Sequence, residues 1–181
     1  ENDTLGKAVL SLRDELKKNQ EEEEKRKKED QQRHWMSEGL AKFGDILRQD
    51  TGDMEELSYQ VVSNLVKYVG AVQGSLFIVN GEEDNDKHLE MKACYAYDRR
   101  KFPDRRLEWG EGMLGATVME QETTYITEVP QDYVNITSGL GESTPDSVLM
   151  VPLKVNDEVH GALELASFNG MEQYVIDFVE R

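Results

Sequence analysis

The first fifty residues alternate between apolar stripes and a polar stretch, a pattern that predicts one long helix. Two sets of apolar residues recur at spacings of three and four, as in the seam by which coiled-coil helices pair. The first seam consists of Leu5, Val9, Leu12 and Leu16, and the second of Met36, Leu40, Phe43 and Leu47. We therefore expect residues 1–50 to form a helix that pairs in parallel with the same helix of a second chain.

Between the two seams, residues 17–34 contain no apolar side chain, no Gly and no Pro. The acids at 21–24 precede the bases at 25–28 by four positions, so each acid lies one helical turn before a base. Each such pair stabilises an isolated helix by about 0.2–0.5 kcal/mol. Counting heptads from Leu16 reaches Ser37 rather than Met36, so the two seams differ in register by one position. A continuous, solvated helix is predicted between them.

From residue 51 to residue 181 the apolar spacing predicts a compact α+β domain with a mainly antiparallel sheet of five to six strands. Asp53 and Glu56 predict a capping box before the first helix of this domain. Asn156 and Asp157 predict the turn of a hairpin near the end of the domain. The predicted order is a helix from 54, strands at 76–79 and 89–97, a short helix at 113–121, a strand at 124–129, a loop at 130–145, strands at 148–155 and 158–168, and a final helix.

The segment 89–97 alternates between apolar and polar positions, as a half-buried antiparallel strand does. Cys94, the single cysteine, has the opposite phase to the apolar set. One face of this strand is expected to carry Leu89, Met91, Ala93, Tyr95 and Tyr97.

Charge and composition narrow the classes of function. The formal net charge is −16, and residues 51–181 hold 24 acidic and 10 basic side chains. So acidic a domain repels phosphate backbones and anionic lipid surfaces, which argues against nucleic-acid binding. One cysteine permits no internal disulfide, and no apolar run reaches the roughly 18 residues of a membrane span. These features predict a cytoplasmic location.

Several motifs of the second half, in their order along the chain, resemble those of GAF domains. They are Trp109–Gly115, Tyr125–Pro130, Ile136–Gly141, Val151–Val155 and Gly161–Phe168. The resemblance covers residues 53–181 and implies a PAS-related α+β fold. It also implies a sensory role in which a small molecule binds between one sheet face and a covering segment.

The first residues, Asp3–Gly6 followed by the seam to Leu16, resemble the second helix of a HAMP module. The match departs from that pattern at Thr4, where an acidic residue is usual. Together the two resemblances imply the cytoplasmic part of a bacterial inner-membrane receptor. Its output would be a histidine kinase of a two-component system or a chemotaxis-type assembly.

By analogy with GAF domains, the ligand pocket is expected beneath residues 109–145. Aromatic walls with a few polar groups suit a small organic ligand. A closed core without a ligand, serving dimerisation and relay alone, is the alternative. The residues expected to line the pocket are Tyr95, Tyr97, Trp109, Glu111, Tyr125, Tyr133, Thr137 and Ser138.

Other chemistry is weakly represented. Gly110, Gly112 and Gly115 spell a dinucleotide fingerprint, but residues 105–108 are a poor parallel strand, so these are interpreted as turn glycines. Some GAF relatives reduce free methionine sulfoxide with several cysteines, whereas this chain has Cys94 alone. No cyclic-nucleotide pattern is found. The histidines have no metal-ligand spacing, although His88 or His160 would be the axial ligand in a haem-binding relative. We therefore expect a non-enzymatic domain without a metal or cofactor.

Overall fold

A computed structural model gives the architecture of the chain. It describes residues 2–49, 52–81, 86–96, 99–101, 105–130, 133, 136–138 and 141–181. The chain divides into two compact units, residues 1–41 and 42–181. Within the described residues, no helix is both long and apolar enough to cross a membrane.

The predicted N-terminal helix is confirmed as α1, Asn2–Arg48. In its polar middle, Glu23 pairs with Lys27 at 2.8 Å, as the i,i+4 spacing predicts. The interaction with Lys27 also lowers the pKa of the Glu23 carboxyl. Lys17 and Lys18 lie 3.8 Å from Glu21 and Glu22, one turn further along. The polar segment thus carries ion pairs between its own successive turns.

Residues 42–181 form an antiparallel sheet flanked by helices, which confirms the predicted fold class. The helices are α2 (Met54–Val69), α3 (Gly112–Glu120) and α4 (Gln173–Val179). The strands are β1 (Gln73–Asn80), β2 (His88–Ala96), β3 (Arg99–Lys101), β4 (Arg106–Glu108), β5 (Thr124–Ile126), β6 (Ile136–Ser138), β7 (Gly141–Ser143), β8 (Ser147–Val155) and β9 (Glu158–Ser167). Among the described residues the main sheet has seven strands: six lie in the order β3-β2-β1-β9-β8-β5, and β4 pairs with β2. β6 and β7 pair with each other in a separate two-stranded sheet.

The start of α2 differs in one detail from the predicted capping box. Asp53 is the N-cap, and its carboxylate accepts the backbone N–H of Glu55 at 2.9 Å. Glu56 instead accepts hydrogen bonds from Gln60 and Arg100, each at 2.8 Å. In a capping box the Glu56 side chain would accept the backbone N–H of Asp53. Here its bond with Arg100 instead links α2 to β3.

The hairpin between β8 and β9 forms as predicted. Asn156 and Asp157 have φ values of 50° and 65°. Two consecutive residues with positive φ produce the turn whose twist matches that of two paired strands. The hairpin places β9 between β1 and β8, so its main chain is hydrogen-bonded on both sides.

The sheet has two differently covered faces. The helix face packs against α2: a Cβ added to Gly74 would lie 2.6 Å from Val66 and 3.1 Å from Val62. The opposite face, called the covered face below, packs against α3 and against Trp109 and Tyr133. The core of the covered face includes Phe77, Leu89, Leu114, Val118, Val148, Met150, Ala162 and Ala166.

A bulge in β2 changes which of its residues share a face. Leu76 of β1 pairs with Ala93, whereas Phe77 pairs with Met91, so Lys92 is the extra residue. A bulge reverses the alternation of side chains beyond it. Met91 therefore lies on the covered face and Ala93 on the helix face, which corrects the regular alternation expected for 89–97.

The last turns of α1 belong to the second unit and pack on its helices. The Phe43 ring lies 6.1 Å from that of Tyr68 in α2 and 5.9 Å from that of Phe178 in α4. Tyr68 and Phe178 are themselves 5.4 Å apart, so the three rings form one cluster. This aromatic cluster joins the first and last helices of the unit through α2.

Candidate functional site

A row of buried residues with polar or sulfur-containing side chains crosses the centre of the covered face. Strand register places Met150 of β8, Glu164 of β9, Ser75 of β1 and Cys94 of β2 side by side. Glu164 is only 3% exposed and Ser75 only 1%. A buried carboxyl among apolar strands is costly unless it is hydrogen-bonded or neutralised, so this row is the most unusual feature of the sheet.

Tyr133 reaches across the covered face to this carboxyl. Its hydroxyl donates to Oε2 of Glu164 at 2.7 Å and lies 3.3 Å from Sδ of Met150. Burial raises the pKa of Glu164 above its usual range, although the Tyr133 hydroxyl and the charge of Arg105 act in the opposite direction. Burial and the nearby Glu164 also raise the pKa of Tyr133. Burial therefore disfavours the charged form of both groups.

Sequence reasoning missed Glu164, although the chain held a signal for it. Glu164 is the one acid between Val159 and Ser167, a run otherwise suited to a strand buried on both faces. Residues of a strand buried on both faces are normally apolar, because they pack in the core. An acid at such a position therefore indicates a functional role. Met150 and Ser75 carried no comparable signal.

The short helix α3 is tied to the same row. The Thr117 hydroxyl donates to the Thr124 hydroxyl at 2.8 Å, and Thr124 pairs with Met150 across β5 and β8. Thr117 is buried at 1% exposure, in contact with Sδ of Met150 at 4.0 Å. One side of the site is thus a helix fixed to the sheet edge by a hydroxyl pair.

The turn before α3 positions Trp109 beside the covered face. Gly110 and Gly112 have φ values of 80° and 67°, and a Cβ on Gly115 would lie 2.7 Å from the backbone of Gly110. The three glycines therefore serve a tight turn, as interpreted from the sequence. The side chain of Glu111, expected in the pocket, is exposed and accepts the N–H of Glu108 at 2.7 Å, so it closes this turn instead.

Two tyrosines expected in the pocket lie on the helix face. The Tyr95 ring is 6.1 Å from that of Tyr59 in α2 because the β2 bulge turns it away from the covered face. Tyr125 pairs with Leu149, and its hydroxyl accepts the N–H of Met171 at 2.7 Å, which anchors the chain leading to α4. Both expectations are corrected by this geometry.

Of the eight residues expected in the pocket, the structure brings two together on the covered face, Trp109 and Tyr133. Tyr97 lies outside the described residues. Thr137 and Ser138 belong to β6, and their side chains are likewise outside the described part of the chain. Their proposed role stays a prediction.

A cleft of about 480 Å³ opens at the end of the sheet, beside Trp109. Its size suits a small molecule. Its polar lining residues Asp157, Glu158 and His160 are exposed, and Lys87 lies 5.6 Å above the Trp109 ring. Because these charges remain hydrated, the cleft is a weaker anchor for a ligand than the buried pair.

The histidines of the domain have ordinary surroundings. His88 in β2 places Nδ1 2.8 Å from the carbonyl oxygen of Asp86 and Nε2 3.4 Å from Glu90. Among the residues that the structure describes, no group of three His, Cys, Asp or Glu side chains is arranged to hold a metal ion.

The residues expected in the dimer seams differ in their surroundings. In the first seam the apolar side chains are exposed, with Leu5 at 68% and Leu16 at 55%. In the second seam Phe43 is engaged by Tyr68 and Phe178 of its own chain, whereas Leu47 is exposed. Val9, Leu12 and Leu40 are also exposed. Pairing between two chains stays a prediction.

Comparison with known proteins identifies the family. The model of the GAF domain matches residues 51–180. The GAF domain of nlh2 from A. aeolicus in an inactive state superimposes with a TM-score of 0.64 at 19% identity, covering 82% of this chain and 91% of that one. The GAF domain of a phosphoenolpyruvate-protein phosphotransferase from Coxiella burnetii gives 0.62 at 18% identity, covering 80% and 85%.

Enzymes also share the fold. Free methionine-R-sulfoxide reductase from Neisseria meningitidis, solved with its substrate, gives a TM-score of 0.59 at 14% identity, covering 82% of this chain and 81% of that one. Identities this low show the fold alone. No curated protein sequence matches the chain. The family match spans most of the chain, which therefore belongs to the GAF domain family, whose members are generally regulatory domains that bind small molecules.

Proposed function

We propose that this chain is a sensory segment of a bacterial signal-transduction receptor. Its GAF domain binds a small organic molecule on the covered face and relays the bound state through the flanking helices. The observation that carries the proposal is the Glu164–Tyr133 pair, a buried carboxyl met by a phenol from outside the sheet at 2.7 Å. Such costly groups in a covered site are typical of binding centres.

A continuous set of contacts supports the relay. Glu164 alternates along β9 with Leu165, which faces the other side of the sheet. There the Leu165 side chain, like Val66 of α2, borders the space above Gly74. Further along α2, Tyr68 contacts Phe43 of α1 and Phe178 of α4. A shift of β9 at the site would therefore press on the helix that holds both ends of the unit.

The wider setting belongs to the same proposal. The HAMP-like start of the chain and the exposed first seam favour a homodimer joined by parallel N-terminal helices. In that setting the chain is the cytoplasmic portion of an inner-membrane receptor, and its output is a histidine kinase or a chemotaxis-type coiled coil. The segment itself has no enzymatic role and no cofactor.

Native mass spectrometry of the purified protein tests the ligand directly. We expect a mass excess over the polypeptide that disappears on denaturation, and that is reduced in Glu164→Gln. Glu120→Gln, an exposed change of the same charge on α3, is the matched control. A clean polypeptide or dimer mass from several expression hosts, with no excess, would count against sensing of a small molecule.

A ligand-free dimerisation and relay module is the second candidate. The observation in its favour is that Tyr133 already contacts both Glu164 and Met150, so the centre of the covered face is closed. This alternative predicts that no small molecule stabilises the protein. A redox enzyme is more distant, because a disulfide exchange cycle needs a second thiol and Cys94 is the only cysteine.

A further inference from the structure

The position of Glu164 restricts the chemistry of what binds there. Its strand is paired with β1 on one side and β8 on the other, so the carboxyl is closed off within the plane of the sheet. Its neighbours across the strands are Ser75 and Met150, both fully buried. Any partner must therefore come to Glu164 from above the covered face.

Buried carboxylates are normally matched by a cation. Arg105 acts on Glu164 through its charge, but within the described residues no cation forms an ion pair with this carboxyl. Tyr133, a neutral donor, supplies the hydrogen bond instead. A phenol supplies one neutral hydrogen bond, whereas a cationic donor would stabilise the ionised form of the carboxyl, which burial disfavours.

Tyr133 is the member of the pair that belongs to no strand. It lies outside the sheet, and its backbone N–H bonds to the carbonyl of Pro130 at 3.0 Å, three residues earlier. Its hydroxyl can leave Glu164 without breaking any strand ladder. The space that the phenol occupies is bordered by the core of the covered face, including Met150.

We propose that Glu164 binds a protonated nitrogen of the ligand, an ammonium, amidinium or guanidinium group that takes the place of the Tyr133 hydroxyl. This inference rests on the proposed function and names the class of its ligand. Residues 51–181 hold 24 acidic and only 10 basic side chains, and this negative charge attracts cations to the domain and repels anions. A charged nitrogen donor would also form the stronger hydrogen bond with the carboxylate.

Binding of such a cation has a proton balance. In the unbound protein, burial raises the pKa of Glu164, and the groups acting on it are Tyr133 and Arg105. A cationic ligand favours the ionised carboxylate, so the carboxyl proton passes to the solvent while the ligand keeps its own. We therefore expect proton release on binding, and tighter binding as the pH rises, as long as the ligand nitrogen stays protonated.

Matched probes test the charge requirement. Benzylamine and benzamidine carry the cation, whereas benzyl alcohol and benzoate have similar size without it. Binding to the full chain is measured by isothermal titration in two buffers of different ionisation enthalpy. We expect at least one cationic probe to bind about tenfold or more tighter than benzyl alcohol, the neutral probe. The dependence of the heat on the buffer should show proton release.

Two variants and a control connect this binding to the site. Glu164→Gln keeps the shape of the side chain and should lose about tenfold or more of the affinity for the cationic probe. Tyr133→Phe removes the competing hydroxyl and should bind that probe at least as tightly as the wild type. Glu120→Gln should bind like the wild type. Circular dichroism verifies that each variant is folded.

The outcomes separate the inference from the proposed function. Equal affinity for amine and alcohol, or unchanged amine binding by Glu164→Gln, would overturn the cationic assignment. A neutral or anionic probe that binds while the amines do not would overturn it and leave small-molecule sensing intact. If no probe binds and native mass spectrometry shows no adduct, the inference and the sensing function both fail.

Discussion

Replacing Glu164 by glutamine removes a buried titrating group while keeping its size, so the effect on stability should depend on pH. The folded protein holds the carboxyl proton more strongly than the unfolded chain, because burial raises the pKa of Glu164. The unfolded chain therefore loses its proton first as the pH rises, and the free energy of unfolding of the wild type falls. The variant lacks this contribution.

The magnitude follows from the linkage between proton binding and folding. Below the unfolded pKa of about 4.3 the contribution of Glu164 is fully present. Between that value and the raised folded pKa, the wild type loses up to about 1.4 kcal/mol per pH unit relative to Glu164→Gln. Above the folded pKa the two curves run parallel again. Tyr133→Phe removes a hydrogen bond that lowers this pKa, so its stability should keep falling to a higher pH.

Urea unfolding followed by tryptophan fluorescence at half-unit steps from pH 4 to pH 8 measures the difference. Glu120→Gln, on the exposed side of α3, controls for the change in net charge. The reasoning requires a difference between Glu164→Gln and the wild type that changes with pH; glutamine packing can only add a constant offset to it. A difference that does not change between pH 4 and pH 8 would refute the reasoning, because Glu164 would then not titrate differently in the folded state.

Three further changes test other parts of the fold. Gly161→Ala places a Cβ 2.4 Å from a main-chain oxygen of β1, which cannot move alone, and should destabilise the domain by about 1–3 kcal/mol in thermal melts. Gly6→Ala should not destabilise the protein, because nothing lies within 4 Å of the added Cβ. Equal melting temperatures for these two variants would contradict the close approach of β9 to β1 at Gly161. Phe43→Ala removes the ring that joins α2 and α4 and should cost about 1–3 kcal/mol, a loss that urea unfolding would show. Leu12→Lys combined with Leu16→Lys should weaken dimerisation in sedimentation; an unchanged dimer would mean that the first seam does not join the chains.

The long-range architecture could be predicted because it depends on periodicity. The apolar spacing of α2 and the two-residue turn at Asn156 determine elements that tertiary contacts only reinforce. The bulge at Lys92 could not be predicted in this way, because one extra residue is set by pairing with β1 rather than by local pattern. That single residue moves Tyr95 to the helix face.

The site itself was only partly predictable for a related reason. Trp109 and Tyr133 were found by analogy with the covering segment of GAF domains, and the structure brings both to the covered face. Glu164 was missed because a strand that is apolar on both faces indicates only a packing role. A single acid within such a strand belongs to no motif whose spacing would identify it as a site residue. Which side chains meet across a sheet depends on register, and register is known only once the strands are paired.

The charged segment of α1 also sets an angular relation between the apolar residues on either side of it. An ideal α-helix advances by about 100° per residue, so the stripe from Leu5 to Leu16 and the pair Met36 and Leu40 point about 130° apart around the axis. One straight partner helix cannot touch both. A dimer can use both surfaces only if residues 17–34 twist. If this segment does not twist, forming one contact turns the other surface away from the partner helix. Twist of this segment would then couple the two contacts of a dimer to each other.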